Sequence, residues 1–179
     1  MRTIVIAVMG LVAAAMSVAQ TPTGSVQPCG LLTASELAVV GGTGRGQANQ
    51  MAVNEGLSKG HTMDMCTWAA GEGRVSVMVV PVPPGTVRDL QSLRTQELAR
   101  LDKNFEPFKA KGWKRERKEF GDTMCEIYVP PPSVKDELIT TGCFTARKDT
   151  AVSVAAQTKT AVPVENVRTL IDKASGRLR

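Results

Sequence analysis

"MDMCTWAAGEGRVSVMVV", residues 63 to 80, carries a clear β-sheet pattern. Two runs with β-branched residues flank Gly71-Glu72-Gly73, the pattern of two strands joined by a glycine turn. In the second run Val75, Val77 and Val79 alternate with other residues, which puts them on one side of a strand. The stretch therefore predicts a β-hairpin with one apolar face.

A short helix is predicted upstream of this hairpin, in "LLTASELAVVGG", residues 31 to 42. Thr33 fits the N-cap position, and Glu36 three residues later completes a capping box. Gly41-Gly42 can end the helix because glycine tolerates positive φ. Residues 41 to 62 are then expected to form a polar, glycine-rich connection into the hairpin.

The second half of the chain predicts one helix, a series of strands and a last helix. Thr86 and Asp89 repeat a capping arrangement for a helix that is expected to end near Asn104. The strands that follow are "WKRERKEF", "MCEIYVP", "ELITTGCFTARK" and "TAVSVAAQTK", with turns at Gly121-Asp122 and Lys148-Asp149. Pro163 fits the first turn of the last helix. The prediction is a single α+β domain with a largely antiparallel β-sheet flanked by helices.

The N-terminus predicts export from the cytoplasm. Met1-Arg2, an apolar run and Ser17-Val18-Ala19 match a signal peptide over residues 1–19, followed by a flexible leader, 20–28, and the domain, 29–179. The apolar run is shorter than the roughly 20 residues of a membrane span. Cys29 lies too far beyond Ala19 for lipid attachment at the cleavage site. We therefore expect a periplasmic or secreted protein without a transmembrane segment.

The four cysteines are expected to form disulfides. An even number of cysteines in an exported chain favours bridges over metal binding or thiol chemistry, and four cysteines allow three pairings. We favour Cys29–Cys66 and Cys125–Cys143, because each pair would join neighbours in the predicted layout. No metal site and no cofactor are predicted, and the glycines of "GGTGRG" follow a helix rather than opening one, unlike a nucleotide-binding loop.

The segment Lys109 to Phe120, "KAKGWKRERKEF", is the candidate for a functional surface. The residues proposed to bind anions are Trp113, Lys114, Arg115, Arg117 and Lys118. In an extended strand Trp113, Arg115 and Arg117 share one face, so that a basic face with an aromatic would contact an acidic polymer or a phospholipid surface. The alternative is an edge strand whose charges prevent sheet-to-sheet pairing.

Several motifs together resemble an uncharacterised family of exported bacterial envelope proteins, many of them actinobacterial lipoproteins. They are "PCGLLTASEL", "CTW", "EFGDTMC", "FTARKDTAVSVAAQT" and "VENVRTLIDKASGRL", in the same order as in that family. The resemblance implies an α/β/α arrangement like that of the photosystem PsbP-type proteins and a paired Cys29 and Cys66. It implies no activity. The chain departs from the family in lacking a lipid-attachment cysteine and in carrying Cys125 and Cys143.

These observations predict a non-enzymatic envelope protein that acts as a binding or accessory module. Its partner is expected to be an envelope protein or an anionic polymer, not a specific nucleic acid, and the sequence does not indicate an oligomeric state. Binding of a polyanion or membrane surface through residues 109–120 is one alternative. A thiol-dependent envelope enzyme that uses Cys66 and the single histidine, His61, is the other.

Overall fold

The structure is a computed structural model that describes residues 27–54, 58–82, 90–147 and 149–178. Within these residues the strands are β1 (Thr43–Ala52), β2 (Thr62–Ala70), β3 (Gly73–Pro81), β4 (Lys114–Phe120), β5 (Thr123–Val129), β6 (Ile139–Arg147) and β7 (Thr150–Thr158). The α-helices are α1 (Ala34–Ala38), α2 (Leu90–Lys109) and α3 (Val164–Gly176), and a 3₁₀ turn (Pro28–Gly30) precedes α1.

All seven strands belong to one sheet, in the order β1-β2-β3-β7-β6-β5-β4, and every neighbouring pair is antiparallel. After β3 the chain runs through α2 to the far edge of the sheet, where β4 begins. The strands β4 to β7 then return as a meander until β7 pairs with β3. The predicted antiparallel α+β domain is confirmed in this form.

The main core lies between one face of the sheet and α3. Alternate residues of β3 and β7 supply this face with valines, and α3 covers it with Val167, Leu170 and Ile171. All three helix residues are at most 2% exposed. The core forms because the strands contribute an apolar residue at every second position and the helix presents a matching apolar stripe.

Two disulfides join elements of this fold, in the pairing that we favoured. Cys29–Cys66 links the turn before α1 to β2, and Cys125–Cys143 links directly opposed residues of β5 and β6. The loops that they close span 37 and 18 residues. Each bridge is expected to stabilise the fold by about 3 kcal/mol through the entropy of the unfolded chain.

The opposite face of the sheet contacts the C-terminal part of α2. Phe105 packs against Tyr128 with 5.6 Å between ring centroids, and Phe108 meets Trp113 edge-on at 6.0 Å. These contacts explain why α2 continues to Lys109 when the sequence predicted an end near Asn104. Aromatic packing on β4 and β5 holds the last turn of the helix in place.

The predicted glycine-rich connection over residues 41–62 is wrong in part, because residues 43–52 form the strand β1. Apart from Thr43 this segment has no β-branched residue of the kind that marks a strand, but its backbone pairs with β2 from Gln47↔Thr67 to Ala52↔Thr62. Thr86, Asp89, Lys148 and residues 1–26 lie outside the described residues, and with them the second capping arrangement, the signal peptide and most of the leader. Within the described parts of the chain, no helix is both long and apolar enough to cross a membrane.

Candidate binding surfaces

The strand β4, which carries the predicted basic surface, lies at one edge of the sheet. Its residues divide between the two sheet faces as the sequence predicted: Arg115 and Arg117 are opposite Tyr128 and Glu126 of β5, on the face that α2 contacts. Trp113, just before the strand, is 7% exposed and packs beneath Phe108. The aromatic that was expected to line a binding face is therefore part of the packing.

The two arginines are paired with acidic residues. Nε of Arg117 donates to Oε1 of Glu126 at 2.7 Å, and Nη2 of Arg117 donates to Oδ1 of Asp102 at 2.8 Å. Nη2 of Arg115 donates to the same Oδ1 atom at 2.5 Å. Glu126 is 1% exposed and also accepts a hydrogen bond from the hydroxyl of Tyr128. We call these five residues the ionic cluster.

The electrostatics of the ionic cluster follow from its burial and its charge balance. Burial and the adjacent Glu126 carboxylate raise the pKa of Tyr128 above its ordinary value. Burial acts to raise the pKa of Asp102 too, but the hydrogen bonds from Arg117 and Arg115 outweigh it and hold that pKa below its ordinary value. Two arginines therefore neutralise two carboxylates, and the cluster joins α2 to the edge of the sheet.

Lys114 and Lys118 project from the opposite side of β4 and are exposed. Nζ of Lys118 lies 3.5 Å from Oε1 of Glu116, which is also exposed. The five residues predicted to bind anions thus do not form one surface: three are packed with α2 and two point away from it. The anion-binding hypothesis remains a prediction, and it now rests on Lys114 and Lys118.

The residues of the thiol hypothesis also have defined places. Cys66 is fully buried and bonded to Cys29. Gly46 of β1 lies so close to it that an added Cβ would be 2.4 Å from Sγ of Cys66 and 2.8 Å from the Trp68 ring. His61 is exposed in the turn before β2, where its carbonyl accepts from Val53. A thiol reaction at Cys66 would first require this disulfide to open.

A different surface becomes visible from the register of the sheet. Directly opposed residues form one row across all seven strands: Gln47, Thr67, Ser76, Ala155, Gly142, Glu126 and Arg117. Solvent exposure changes along the row. Near the β4 end Glu126 is buried, whereas at the β1 end Gln47 is exposed and Thr67 and Ser76 are half-buried.

The β1 end of this row is polar and uncharged. Asn49, next to Gln47 on the same side of β1, extends it and is exposed. We call Gln47, Asn49, Thr67 and Ser76 the polar patch. Hydroxyl and amide side chains both donate and accept hydrogen bonds, so this patch is suited to recognise another hydrogen-bonding surface without a requirement for charge.

The sequence does not predict the polar patch, because residues 41–62 read as a polar, glycine-rich connection and not as a strand. One contact of the ionic cluster can be predicted from the sequence. A two-residue turn at Gly121-Asp122 places residue 117 opposite residue 126, and hence Arg117 opposite Glu126. No sequence pattern indicates that Asp102 joins this cluster from α2. No group of three or more potential metal ligands occurs in the described part of the chain.

Comparison with known proteins adds information on the fold. No protein-family model matches the chain, and no curated protein does. Among solved structures, the chain is similar to the extracellular domain of PknH from Mycobacterium tuberculosis, with a TM-score of 0.55 and 13% sequence identity. The match covers 82% of this chain and 93% of that chain. At this identity the two proteins share a fold, and function has to be argued from the surfaces of this chain.

Proposed function

We propose that this protein is an exported, non-enzymatic binding module that contacts its partner through the polar patch. The observation that carries the proposal is the difference between the two ends of one row of residues on the sheet. Toward β4 Glu126 is buried and its charge is neutralised by Arg117, whereas toward β1 Gln47 is exposed and Thr67 and Ser76 are half-buried. Side chains on strands are held in defined positions, which favours precise recognition by a surface built on the sheet.

Three observations support the extracytoplasmic location in this proposal. All four cysteines of the chain are in disulfides, which persist in oxidising compartments. The fold is shared with a domain that is described as extracellular. The N-terminal residues carry the signal-peptide pattern. The resemblance to exported envelope proteins, with its PsbP-like arrangement, is a further part of the proposal and gives the same location.

The uncharged patch predicts a specific salt dependence. Hydrogen bonds between neutral groups are little affected by ionic strength, whereas attraction between exposed charges is screened over about 8 Å at physiological salt. A partner bound at the polar patch should therefore stay bound in high salt. A polyanion held by Lys114 and Lys118 should be released.

The test is affinity capture from an envelope fraction of the source organism, washed at about 0.05 M and about 0.5 M NaCl. The patch variant is Thr67→Arg/Ser76→Arg, and the control is Thr169→Arg, which adds the same side chain at an exposed position on α3. We expect wild type and control to retain a component at both salt concentrations and the patch variant to lose it. A component that elutes with salt, or that all three proteins retain equally, would contradict the proposal.

A further inference from the structure

The two edges of the sheet differ in how they are protected. Edge strands carry unpaired backbone groups that can pair with another strand, and proteins usually block them with charges, proline, bulges or short length. In β4 every residue except Phe120 is charged. In β1, which is ten residues long, Arg45 is the only charged residue.

The regular part of β1 is the segment Gln47–Ala52, "QANQMA". An irregularity in register lies before it, between Thr43 and Gln47, and from Gln47 onward each residue has a direct partner in β2. All residues of the segment are exposed. Its outer side meets no other strand among the residues that the structure describes. The segment is about 20 Å long, enough for a stable ladder of hydrogen bonds with another strand.

The composition of this segment matches a second copy of itself. In an antiparallel pair about a two-fold axis, residues of one sheet face lie opposite residues of the same face, and a charged residue at the axis would meet its own like charge. Gln47–Ala52 contains no charge. The amide of Asn49 can both donate and accept, so the two Asn49 side chains can complement one another at an axis that passes near this residue.

We propose that β1 pairs antiparallel with β1 of a second copy of this chain, so that the two sheets become one. With the axis near Asn49, Gln47 of each copy lies opposite Met51 of the other, so that Met51, which is 39% exposed in the single chain, gains a cross-strand neighbour. Pairing of β1 with β4 of another copy would be a head-to-tail contact, which continues from molecule to molecule and does not give a closed dimer. The row of charged residues on β4 also blocks that edge. The axis joins the polar patches of both copies into one wider surface.

The test measures mass by sedimentation equilibrium from about 1 to 500 µM. We expect wild type to form dimers and Gln47→Lys/Met51→Lys to dimerise about tenfold more weakly, because two pairs of like charges would face each other. Val134→Lys is the matched control, since Val134 is an exposed apolar residue outside the sheet, 40% exposed. It should dimerise like wild type.

Hydrogen exchange of the unmodified protein gives a second measurement that does not depend on the variants. Protection of those amides of residues 47–52 that point away from β2 should rise with protein concentration, while that of β4 should not. A protein that stays monomeric throughout this range overturns the proposal, and so does a dimer that the two lysines leave unchanged. The two proposals can fail separately. If wild type is monomeric but the Thr67→Arg/Ser76→Arg variant still fails to capture the envelope component, the dimer is wrong and the proposed function stands.

Discussion

Arg117 and Glu126 are directly opposed in the β4–β5 pair, and Nε of Arg117 donates to a carboxylate oxygen of Glu126 at 2.7 Å. The acid is 1% exposed, so its charge depends on this partner for compensation. Through Asp102 the same guanidinium holds α2, whose other contacts with β4 and β5 include the Phe105–Tyr128 pair. Arg117 thus joins the edge strand both to β5 and to the helix over it.

Replacing Glu126 with Ala should therefore destabilise the protein by about 3–5 kcal/mol, because two arginines lose a buried counter-charge. Urea unfolding at pH 7 measures the change. Glu116→Ala is the control on the adjacent strand, where an exposed acid pairs with Lys118 and its loss should cost about 0.5 kcal/mol. Equal effects of the two substitutions would show that the ionic cluster does not hold the fold.

The Glu36–Arg177 pair should give a pH-dependent contribution. Hydrogen bonds from Arg177 and from the Thr33 amide lower the pKa of Glu36 below its ordinary value of 4.5. A lowered pKa in the folded state adds stability above the unfolded pKa, and this stability is lost as pH falls through the folded pKa. We expect Glu36→Gln, which keeps a cap acceptor, to unfold more easily by about 1 kcal/mol at pH 7.

The difference between Glu36→Gln and wild type should shrink as the pH falls below about 4.5, where the unfolded carboxyl is protonated. Thermal unfolding from pH 7 to pH 2 measures it. Glu165→Gln on α3 controls for the removal of an acid and should show a smaller change over this range. A constant difference between wild type and Glu36→Gln would contradict the assignment.

Retention on heparin should show which of the two sets of basic residues on β4 contributes to polyanion binding. Lys114→Gln/Lys118→Gln removes exposed charges, so any salt-dependent retention should decrease while the unfolding free energy changes by less than about 1 kcal/mol. Arg115→Gln/Arg117→Gln breaks the ionic cluster and should lower stability by several kcal/mol. If the arginine variant folds normally and loses retention, the original anion-binding surface would be supported instead.

Substituting Gly46 with Ala should destabilise the region around Cys29–Cys66. The added Cβ would lie 2.4 Å from Sγ of Cys66, so β1 or the disulfide must shift, at a cost of about 1–3 kcal/mol. Gly30→Ala is the control, because nothing lies within 4 Å of a Cβ at that position. Thermal unfolding of both variants measures the effect, and equal melting temperatures would contradict it.

Thiol titration of the denatured, unreduced protein should detect no free thiol, since both disulfides are closed. The same sample should give four thiols per chain after reduction. Material should be taken from its native compartment with thiols blocked at lysis. Two free thiols assigned to Cys29 and Cys66 by peptide mapping would contradict this expectation. They would support the alternative of a thiol-dependent enzyme that uses Cys66 and His61.

The elements that can be predicted from the sequence are those whose pattern is local. The capping box at Thr33 and Glu36 forms as predicted, with both hydrogen bonds present. The hairpin at residues 63–80, the strands β4 to β7 and the last helix also follow from residue periodicity and turn chemistry. The disulfide pairing was one of three that the sequence allowed, and it followed once neighbouring elements were known.

Features that depend on contacts between distant segments of the chain cannot be predicted from local sequence patterns. The strand β1 has little intrinsic strand propensity and forms because β2 offers an unpaired backbone edge. The arginines of β4 appear in the sequence as an exposed basic strand, but Asp102 and the Phe105 ring, brought over them by α2, bury and neutralise them. Alternation along a strand specifies which residues share a face, whereas the partner that covers the face is set by packing between distant segments of the chain.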